Sequence, residues 1–348
     1  MKLLFINQIE TCAGWGFETF LNRALLENEV TTICVDYQKN AYSLATELLK
    51  IDEDFDAVLL ERGCGYRIPL EILKAIDRPK VFLFTELIAR NPNEFYLLNS
   101  GMFEHIFFRS LPCIDWIVSQ NWIDRERVSL FLSAIDPGFY DGITPVDKDI
   151  DILFIGTLLP RRQKIIAEIE NEFVVTTHSA FGRDMVDLVN RAKIILNIHG
   201  EEFLDTETRV YETLACKGFL LTEKLSAESP FKDGVHLVES TDTQDLKAKI
   251  AYYLKDEIGR ETIAESGYRE AIANHTFQVR VKQIEQVMDI AITTRKPSKD
   301  PLDRQALARC VRLESFYKVR DKMTMLTRRY LSVVKQRIVK TSHLLYKK

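Results

Sequence analysis

The feature that most constrains this chain is an alternation of short apolar runs with amphipathic helical stretches. In the first half, the apolar runs are KLLFIN, TTICVDY, FDAVLLE and KVFLFTE, and they are separated by stretches such as FETFLNRALLE and PLEILKAI. Short apolar strands that alternate with helices are typical of a parallel sheet whose two faces are both covered by helices. The pattern therefore predicts a doubly wound α/β domain.

The alternation stops once and then starts again. Residues 136–149, DPGFYDGITPVDKD, contain two prolines and two glycines and are typical of a linker. The pattern resumes with DILFIG and continues through KIILNIH and GFLLTE, and residues 243–290 are predicted to be helices that pack back across both domains. We therefore predict an N-terminal domain over residues 1–135, a C-terminal domain over residues 150–295, and a helical tail over residues 296–348.

The composition argues against several classes of protein. Four consecutive apolar residues precede Asn7, too few for a signal peptide, and no run approaches the ~18 apolar residues of a membrane-spanning helix. The six cysteines include no CxxC pair, which favours reduced thiols over disulfides or zinc. We therefore expect a cytoplasmic protein without a metal site.

The tail differs electrostatically from the rest of the chain. Residues 296–348 carry 15 Lys and Arg against four Asp and Glu, whereas residues 1–295 carry 32 against 47. Apolar residues recur in the tail at alternating spacings of three and four: Phe316, Val319, Met323, Leu326, Tyr330 and Val333. Such a helix fits self-association, the anionic inner face of a membrane, or folding back onto the acidic body. Nucleic acid is the least favoured partner, because no stacking array of aromatic residues lies between the cations.

Basic residues follow the first strand of the C-terminal domain. In open α/β sheets a ligand lies outside the carboxyl ends of the strands, so two such domains predict a cleft between them. The strand DILFIG ends at Gly156, and Arg161 and Arg162 lie in the first turn of the next helix. Cations there oppose the helix dipole unless a bound phosphate shares the helix amides and the arginines. A phosphate site and a solvated basic turn both fit this spacing.

A second helix places two opposite charges on one face. The stretch TETRVYETLACKGFLLTE predicts a short helix that is capped by Asp205 or Thr206, with Arg209 and Glu212 as neighbours. The carboxylate of Glu212 can accept hydrogen bonds from two vicinal ribose hydroxyls, and Arg209 can reach a phosphate. A simple helical ion pair is the alternative.

These runs carry a family resemblance. DILFIGTLLPRRQKII, FGRDMVDLVNRAKIILNIH, TRVYETLACKGFLLTE and GYREAIANHTFQVRVKQI resemble the C-terminal domain of GT-B glycosyltransferases of the spore-maturation CgeB type. The resemblance covers roughly residues 150–290 and is most specific over residues 209–218. It implies an α/β GT-B fold: two doubly wound, Rossmann-like domains that face a cleft, with a helical C-terminal extension. It also implies that the C-terminal domain holds a nucleotide-sugar donor and the N-terminal domain holds the acceptor.

One position departs from this family pattern. Glu212 falls where related retaining enzymes place the second glutamate of a Glu-(seven residues)-Glu motif, which holds the ribose. Eight positions earlier stands Leu204 rather than glutamate, so the role of the first glutamate does not carry over. Retention or inversion of the anomeric configuration is therefore left open.

Other candidate residues follow further strands. Gly14 and Gly16 lie in a loop where backbone can approach the donor sugar or phosphate, although such loops are also ordinary turns. Glu86 follows VFLFT and is our candidate general base, with helix capping as the alternative. His178 and His199 end strands, where each either hydrogen-bonds the nucleobase or donor sugar or serves the local structure.

The predicted function is transfer of a hexosyl or related sugar from a nucleotide diphosphate to a hydroxyl-bearing glycan, protein or small molecule. Arg161, Arg162 and Arg209 are expected to stabilise the leaving diphosphate, and Glu212 to position the nucleoside, so neither metal nor cofactor is expected. Gly156 and His178 complete the predicted nucleotide site. The alternatives are a sugar-nucleotide epimerase of the same fold and a non-catalytic binding module.

Overall fold

The structure is a computed structural model. It describes residues 1–11, 16–61, 67–88, 91–140, 147–295 and 299–345, and it leaves out the side chains of Thr11 and of residues 327–345.

The N-terminal domain is built on a six-stranded parallel sheet. Its strands are β1 (Lys2–Asn7), β2 (Thr31–Asp36), β3 (Ala57–Glu61), β4 (Lys80–Phe84), β5 (His105–Phe108) and β6 (Val128–Leu130). Its helices are α1 (Phe17–Glu27), α2 (Leu44–Leu49), α3 (Leu70–Lys74), α4 (Phe95–Leu98) and α5 (Leu111–Ser119), and short 3-10 turns span Ile9–Thr11, Pro92–Glu94 and Arg125–Arg127. The strand order is β2-β1-β3-β4-β5-β6, so the direction of winding reverses between β1 and β3. Strands β3 and β4 are buried along their whole length, as apolar strands covered on both faces must be.

The C-terminal domain repeats this architecture with five parallel strands. The strands are β7 (Ile150–Ile155), β8 (Thr176–His178), β9 (Ala192–Asn197), β10 (Leu220–Glu223) and β11 (Val238–Ser240), and the helices are α6 (Pro160–Glu170), α7 (Gly182–Arg191), α8 (Thr208–Ala215) and α9 (Thr243–Tyr253). The strand order is β11-β10-β9-β7-β8, so the winding reverses between β7 and β9. The predicted fold class of two doubly wound domains is confirmed.

Helix α8 begins later than its sequence suggests. Its N-cap residue is Glu207, and neither Asp205 nor Thr206 caps it. Instead, the Asp205 carboxylate accepts a hydrogen bond from Arg109 (3.3 Å), and the Thr206 hydroxyl is hydrogen-bonded to that of Ser226 (2.7 Å). Both candidate caps are thus used to tie the loop before α8 to its neighbours.

Two further helices follow, α10 (Glu257–Asn274) and α11 (Phe277–Thr294), and α11 returns to the first domain. The Phe277 ring lies 5.3 Å from that of Phe17 and 5.9 Å from that of Phe20, both in α1. The backbone of Ile135 hydrogen-bonds to His275 and Phe277 where the chain crosses between the domains. Helix α11 therefore packs against the N-terminal domain, as we predicted for the helices of residues 243–290.

The last helix, α12 (Arg304–Leu345), starts as part of the N-terminal domain. Leu302 before it and Leu307 and Cys310 within it are buried in the core of that domain. The Glu314 side chain is fully buried, and its oxygens accept hydrogen bonds from the backbone amides of Leu44 and Ala45 (both 3.0 Å). A carboxylate at the N-terminus of α2 satisfies free amides and complements the helix dipole. The predicted tail thus begins as core structure.

The described part of the chain contains no helix long and apolar enough to cross a membrane. Within the same residues, no group of three or more His, Cys, Asp or Glu side chains is arranged to hold a metal ion. Of the cysteines described there, Cys113, Cys216 and Cys310 are buried and Cys34 is exposed, and these four form no disulfide.

Candidate functional site

The candidate site lies where the winding of the second sheet reverses, at the carboxyl ends of β7 and β9. Gly156 directly follows β7 and has a φ of +147°, and a Cβ at this position would lie 2.9 Å from Nη2 of Arg209. This backbone conformation requires glycine, and a larger residue would also displace the guanidinium of Arg209 from its present position. The N-terminal turn of α8 therefore places the guanidinium of Arg209 in direct contact with the end of β7.

Arg209 is mostly buried, with 17% of its side chain exposed. Its Nη1 lies 3.6 Å from Oε2 of Glu207, and this nitrogen is buried without a hydrogen-bond partner among the described residues. Burial lowers the pKa of Arg209, but an arginine keeps its charge under all physiological conditions. A buried guanidinium with an unsatisfied N–H is therefore available to an anionic ligand.

The two arginines of α6 already have anionic partners. Arg161 makes a two-pronged ion pair with Glu223 (2.8 and 2.6 Å). Arg162 is buried, and its Nη2 donates to both oxygens of Glu207 (2.9 and 3.1 Å). Carboxylates of the same chain therefore supply negative charge to both arginines, so a bound phosphate is not needed to explain their position. Their direct contact with nucleotide stays a prediction.

Glu223 is ionised in this arrangement. Burial raises the pKa of its carboxyl, but hydrogen bonds from Arg161 and from the backbone amide of His199 (2.7 Å) outweigh burial and hold that pKa below its usual value. The Arg161–Glu223 pair thus fixes the loop that follows β9.

Glu212 lies one turn after Arg209 and contacts Tyr140 of the predicted linker. Its Oε1 accepts a hydrogen bond of 2.6 Å from the hydroxyl of Tyr140, which is buried. Burial raises the pKa of Glu212, while the Tyr140 hydrogen bond and the charge of Arg209 counteract part of that rise. The pKa of Tyr140 is also raised, by burial and by the Glu212 charge, so its hydroxyl stays protonated and donates. The carboxylate is held in one orientation between two distant chain segments.

His199 leaves one ring nitrogen available. Its Nε2 lies 2.8 Å from the carbonyl oxygen of Lys224, which only accepts hydrogen bonds, so Nε2 is the donor in this contact. Its Nδ1 is buried without a hydrogen-bond partner in the described part of the chain. Asn197 Oδ1, Asp205 Oδ2 and the Tyr211 hydroxyl are further buried polar atoms of this region in the same condition. Since buried polar atoms normally pair, each of these atoms is a candidate contact for a polar ligand.

The N-terminal domain closes the other side of the site. Arg109 follows β5, and its Nη2 donates to the backbone carbonyl of Thr206 (3.2 Å), at the start of α8. Beside this contact lies a cavity of about 590 Å³ with a mainly apolar lining drawn from both domains: Leu87, Ser110, Leu111, Pro112, Cys113, Asp115, Phe203, Leu204, Ser226, Ala227 and Glu228. This is the size of pocket that holds a small-molecule ligand.

The remaining predicted residues are less closely tied to this cluster. Glu86 is half-buried just after β4 and precedes Leu87, a lining residue of the cavity. His178 is exposed at the end of β8, and its carbonyl accepts from the amide of Gly156 (2.8 Å). Gly16 has a φ of +123° and precedes α1, whereas Gly14 lies outside the described residues. The catalytic role of Glu86 and the ligand contacts of the others stay predictions.

Four residues of this region were not anticipated: Arg109, Tyr140, Glu207 and Glu223. Arg109 and Glu223 stand at the carboxyl ends of strands, so the rule that led to Glu86 and His199 can also find them. Tyr140 lies in the predicted linker, and nothing in its sequence surroundings marks its contact with Glu212.

The comparisons with known proteins agree with this geometry. Residues 152–286 match the model of a family described as glycosyl transferase-like, Glyco_trans_1_2. This match covers β7 to α11, the part of the chain that holds Gly156, Arg209 and Glu212. No curated protein matches the chain.

Several solved structures share the fold at low sequence identity. An alpha-glucosyltransferase in complex with UDP-glucose and DNA containing an abasic site superposes with a TM-score of 0.62 at 11% identity, over 83% of this chain and 98% of that one. Anabaena Alr3699/HepE in complex with UDP-glucose gives 0.57 at 14%, over 83% and 100%. Sucrose-phosphate synthase from Thermosynechococcus elongatus gives 0.59 at 10%, over 84% and 100%. The chain therefore has the α/β GT-B fold of glycosyltransferases, with a helical C-terminal extension.

Proposed function

We propose that this protein is a glycosyltransferase that binds a nucleotide-sugar at the carboxyl end of the second sheet. The observation that carries the proposal is Arg209, a buried guanidinium with an unsatisfied N–H that lies against Gly156 where the winding reverses. The glycosyl transferase-like match over residues 152–286 supports it. Two proteins of the same fold have been solved in complex with UDP-glucose, which supports a nucleotide-sugar as the ligand class. Membership of the CgeB type is part of the same proposal.

Arg209 is the residue proposed to stabilise the leaving diphosphate. Its charge and its free N–H can meet the oxygen on which negative charge develops as the glycosidic bond breaks, in a site that excludes much of the water. Arg161 and Arg162 are proposed to act indirectly. They form ion pairs with Glu223 and Glu207, and these pairs fix the loop after β9. With a cation already in place, the reaction needs no metal ion.

Glu212 is proposed to bind the ribose of the donor. Tyr140 holds Oε1, so the carboxylate keeps one orientation while Oε2 accepts from the ribose hydroxyls. The N-terminal domain is proposed to bind the hydroxyl-bearing acceptor, with Glu86 as general base near the cavity between the domains. Glycan, protein and small-molecule acceptors all fit this chemistry.

Release of nucleoside diphosphate from a panel of nucleotide-sugars tests the proposal. We expect release with at least one sugar, and faster release when the right acceptor is present. Arg209→Ala should slow it, whereas Arg191→Ala is a matched control, because Arg191 is paired with Asp149 at the opposite end of the sheet. If the sugar is isomerised while it stays on the nucleotide, the protein is an epimerase. If no panel member is turned over but nucleotide still binds, it is a binding module.

A further inference from the structure

Helix α12 uses one face to dock on the N-terminal domain. Leu307, Cys310, Glu314 and Asp321 recur at spacings of three, four and seven, which places them on one side of the helix. The first two are buried in the core, Glu314 binds the amides that begin α2, and Asp321 accepts a hydrogen bond from the Tyr42 hydroxyl (2.9 Å). These contacts fix the start and direction of a helix of 42 residues.

The opposite face of α12 carries exposed apolar side chains. Phe316 and Val319 are each 63% exposed, and Leu326 is 53% exposed. With Met323, which is 60% exposed, they recur at spacings of three and four and so form one stripe along the helix. A continuous exposed apolar stripe is uncommon on a soluble protein and marks a contact surface.

The charge of the same helix distinguishes between three kinds of partner: a second copy of the chain, a nucleic acid and an anionic lipid surface. From Lys322 to Lys348 the sequence contains eight Lys and Arg and no Asp or Glu, while residues 1–295 carry an excess of acidic residues. Two copies of this segment would bring their cations together without carboxylates to pair them, which disfavours a homodimer through this face. Nucleic acid would pair the cations but leave the apolar stripe without a contact. An anionic lipid surface satisfies both features.

We propose that the exposed apolar stripe of α12 binds in the plane of an anionic lipid bilayer. Phe316, Val319 and Leu326 enter the boundary between headgroups and acyl chains, and cations such as Lys318 and Lys322 contact the headgroups. Because Glu314 anchors the helix rigidly to α2, binding brings the N-terminal domain, with its proposed acceptor site, to the membrane surface. The proposal rests on α12 alone and stands whether or not the protein is a glycosyltransferase.

Co-sedimentation of the full chain with vesicles tests this surface. Vesicles of equal parts phosphatidylglycerol and phosphatidylcholine should bind it, vesicles of phosphatidylcholine alone should bind far less, and added salt should weaken binding. Removal of residues 322–348 should abolish binding and leave the melting temperature unchanged, because Glu314 and Asp321 remain docked.

Two single substitutions separate the apolar stripe from bulk charge. Val319→Glu and Thr324→Glu make the same charge change at exposed positions on different faces. Thr324→Glu should lower the vesicle partition coefficient about fivefold through charge alone, and Val319→Glu about 50-fold, because an apolar contact is also lost. Equal effects of the two variants overturn the proposal, as does equal binding to the neutral vesicles. If the protein binds no vesicles but binds DNA or RNA in a salt-sensitive way, the partner is a nucleic acid. If it binds no vesicles but loses a dimer on truncation, the partner is a second copy of the chain. Either result overturns the proposal.

Discussion

Replacing Glu212 tests whether its carboxylate serves a ligand rather than the fold. Glu212→Gln keeps the shape and one acceptor oxygen, and Glu212→Ala removes both the charge and the partner of the buried Tyr140 hydroxyl. A hydrogen bond to a charged group contributes about 1.5–3 kcal/mol, so Glu212→Ala should weaken nucleotide binding about 10- to 100-fold. Glu212→Gln should fall between the wild type and Glu212→Ala.

The stability of Glu212→Gln should change in the opposite direction to its nucleotide affinity. Burial raises the pKa of Glu212 above its unfolded value, so the folded state binds more protons between the two pKa values. The free energy of unfolding that Glu212 contributes therefore falls as the pH rises through this window, and Glu212→Gln lacks that dependence. At neutral pH, Glu212→Gln should melt at a higher temperature than the wild type although it binds nucleotide less well. The difference in melting temperature should shrink as the pH falls below the unfolded pKa.

Calorimetric titration with ribose and 2′-deoxyribose nucleotides supplies the decisive comparison. The wild type should prefer the ribose nucleotide, and Glu212→Ala should lose most of that preference. Equal discrimination before and after the mutation would refute the ribose contact. A Glu212→Gln variant that is less stable than the wild type at neutral pH would refute the reasoning from burial.

Three further substitutions test other parts of the structure. Gly156→Ala should lower nucleotide affinity at least tenfold because its Cβ would displace the adjacent guanidinium. Gly234→Ala, at a φ of +69° with nothing within 4 Å of the added Cβ, should leave affinity unchanged in the same titration. Arg162→Ala should destabilise the fold by about 1.5–3 kcal/mol in urea unfolding, since it removes a buried guanidinium that donates to the half-buried Glu207 carboxylate and to the Ile198 carbonyl, while the surface variant Arg191→Ala should unfold like the wild type. Glu314→Ala should cost about 1–3 kcal/mol through two uncapped amides of α2, and an unchanged unfolding midpoint would show that water replaces the carboxylate.

The fold was predictable from sequence because both sheets are parallel and covered on both faces. Strands such as β3 and β4 are therefore apolar runs with a charged residue only at one end, a pattern that no amphipathic helix has. The same alternation of strands and helices predicted that Arg209 and Glu212 lie near the carboxyl edge of the second sheet, because residues that follow parallel strands meet at that edge.

The partners of the charged residues were not predictable. Arg162 pairs with Glu207, 45 positions away, and Glu212 accepts from Tyr140, 72 positions away. Periodicity reports which face of an element is buried, but not which distant side chain faces it. The docked face of α12 was missed for a related reason. Its central residue, Glu314, is charged, and its burial is stabilised by the amides of α2 rather than by apolar contacts.

The most direct test of the nucleotide-sugar site is thermal unfolding with UDP, GDP, TDP and CDP, followed by calorimetric titration of the nucleotide that binds. One nucleotide should raise the melting temperature, because a ligand that binds only the folded state stabilises it. Its affinity should fall about 10- to 100-fold in Arg209→Ala and stay unchanged in Arg191→Ala. If no nucleotide stabilises the wild type, or if the one that does binds Arg209→Ala equally well, then this site does not bind a nucleoside diphosphate.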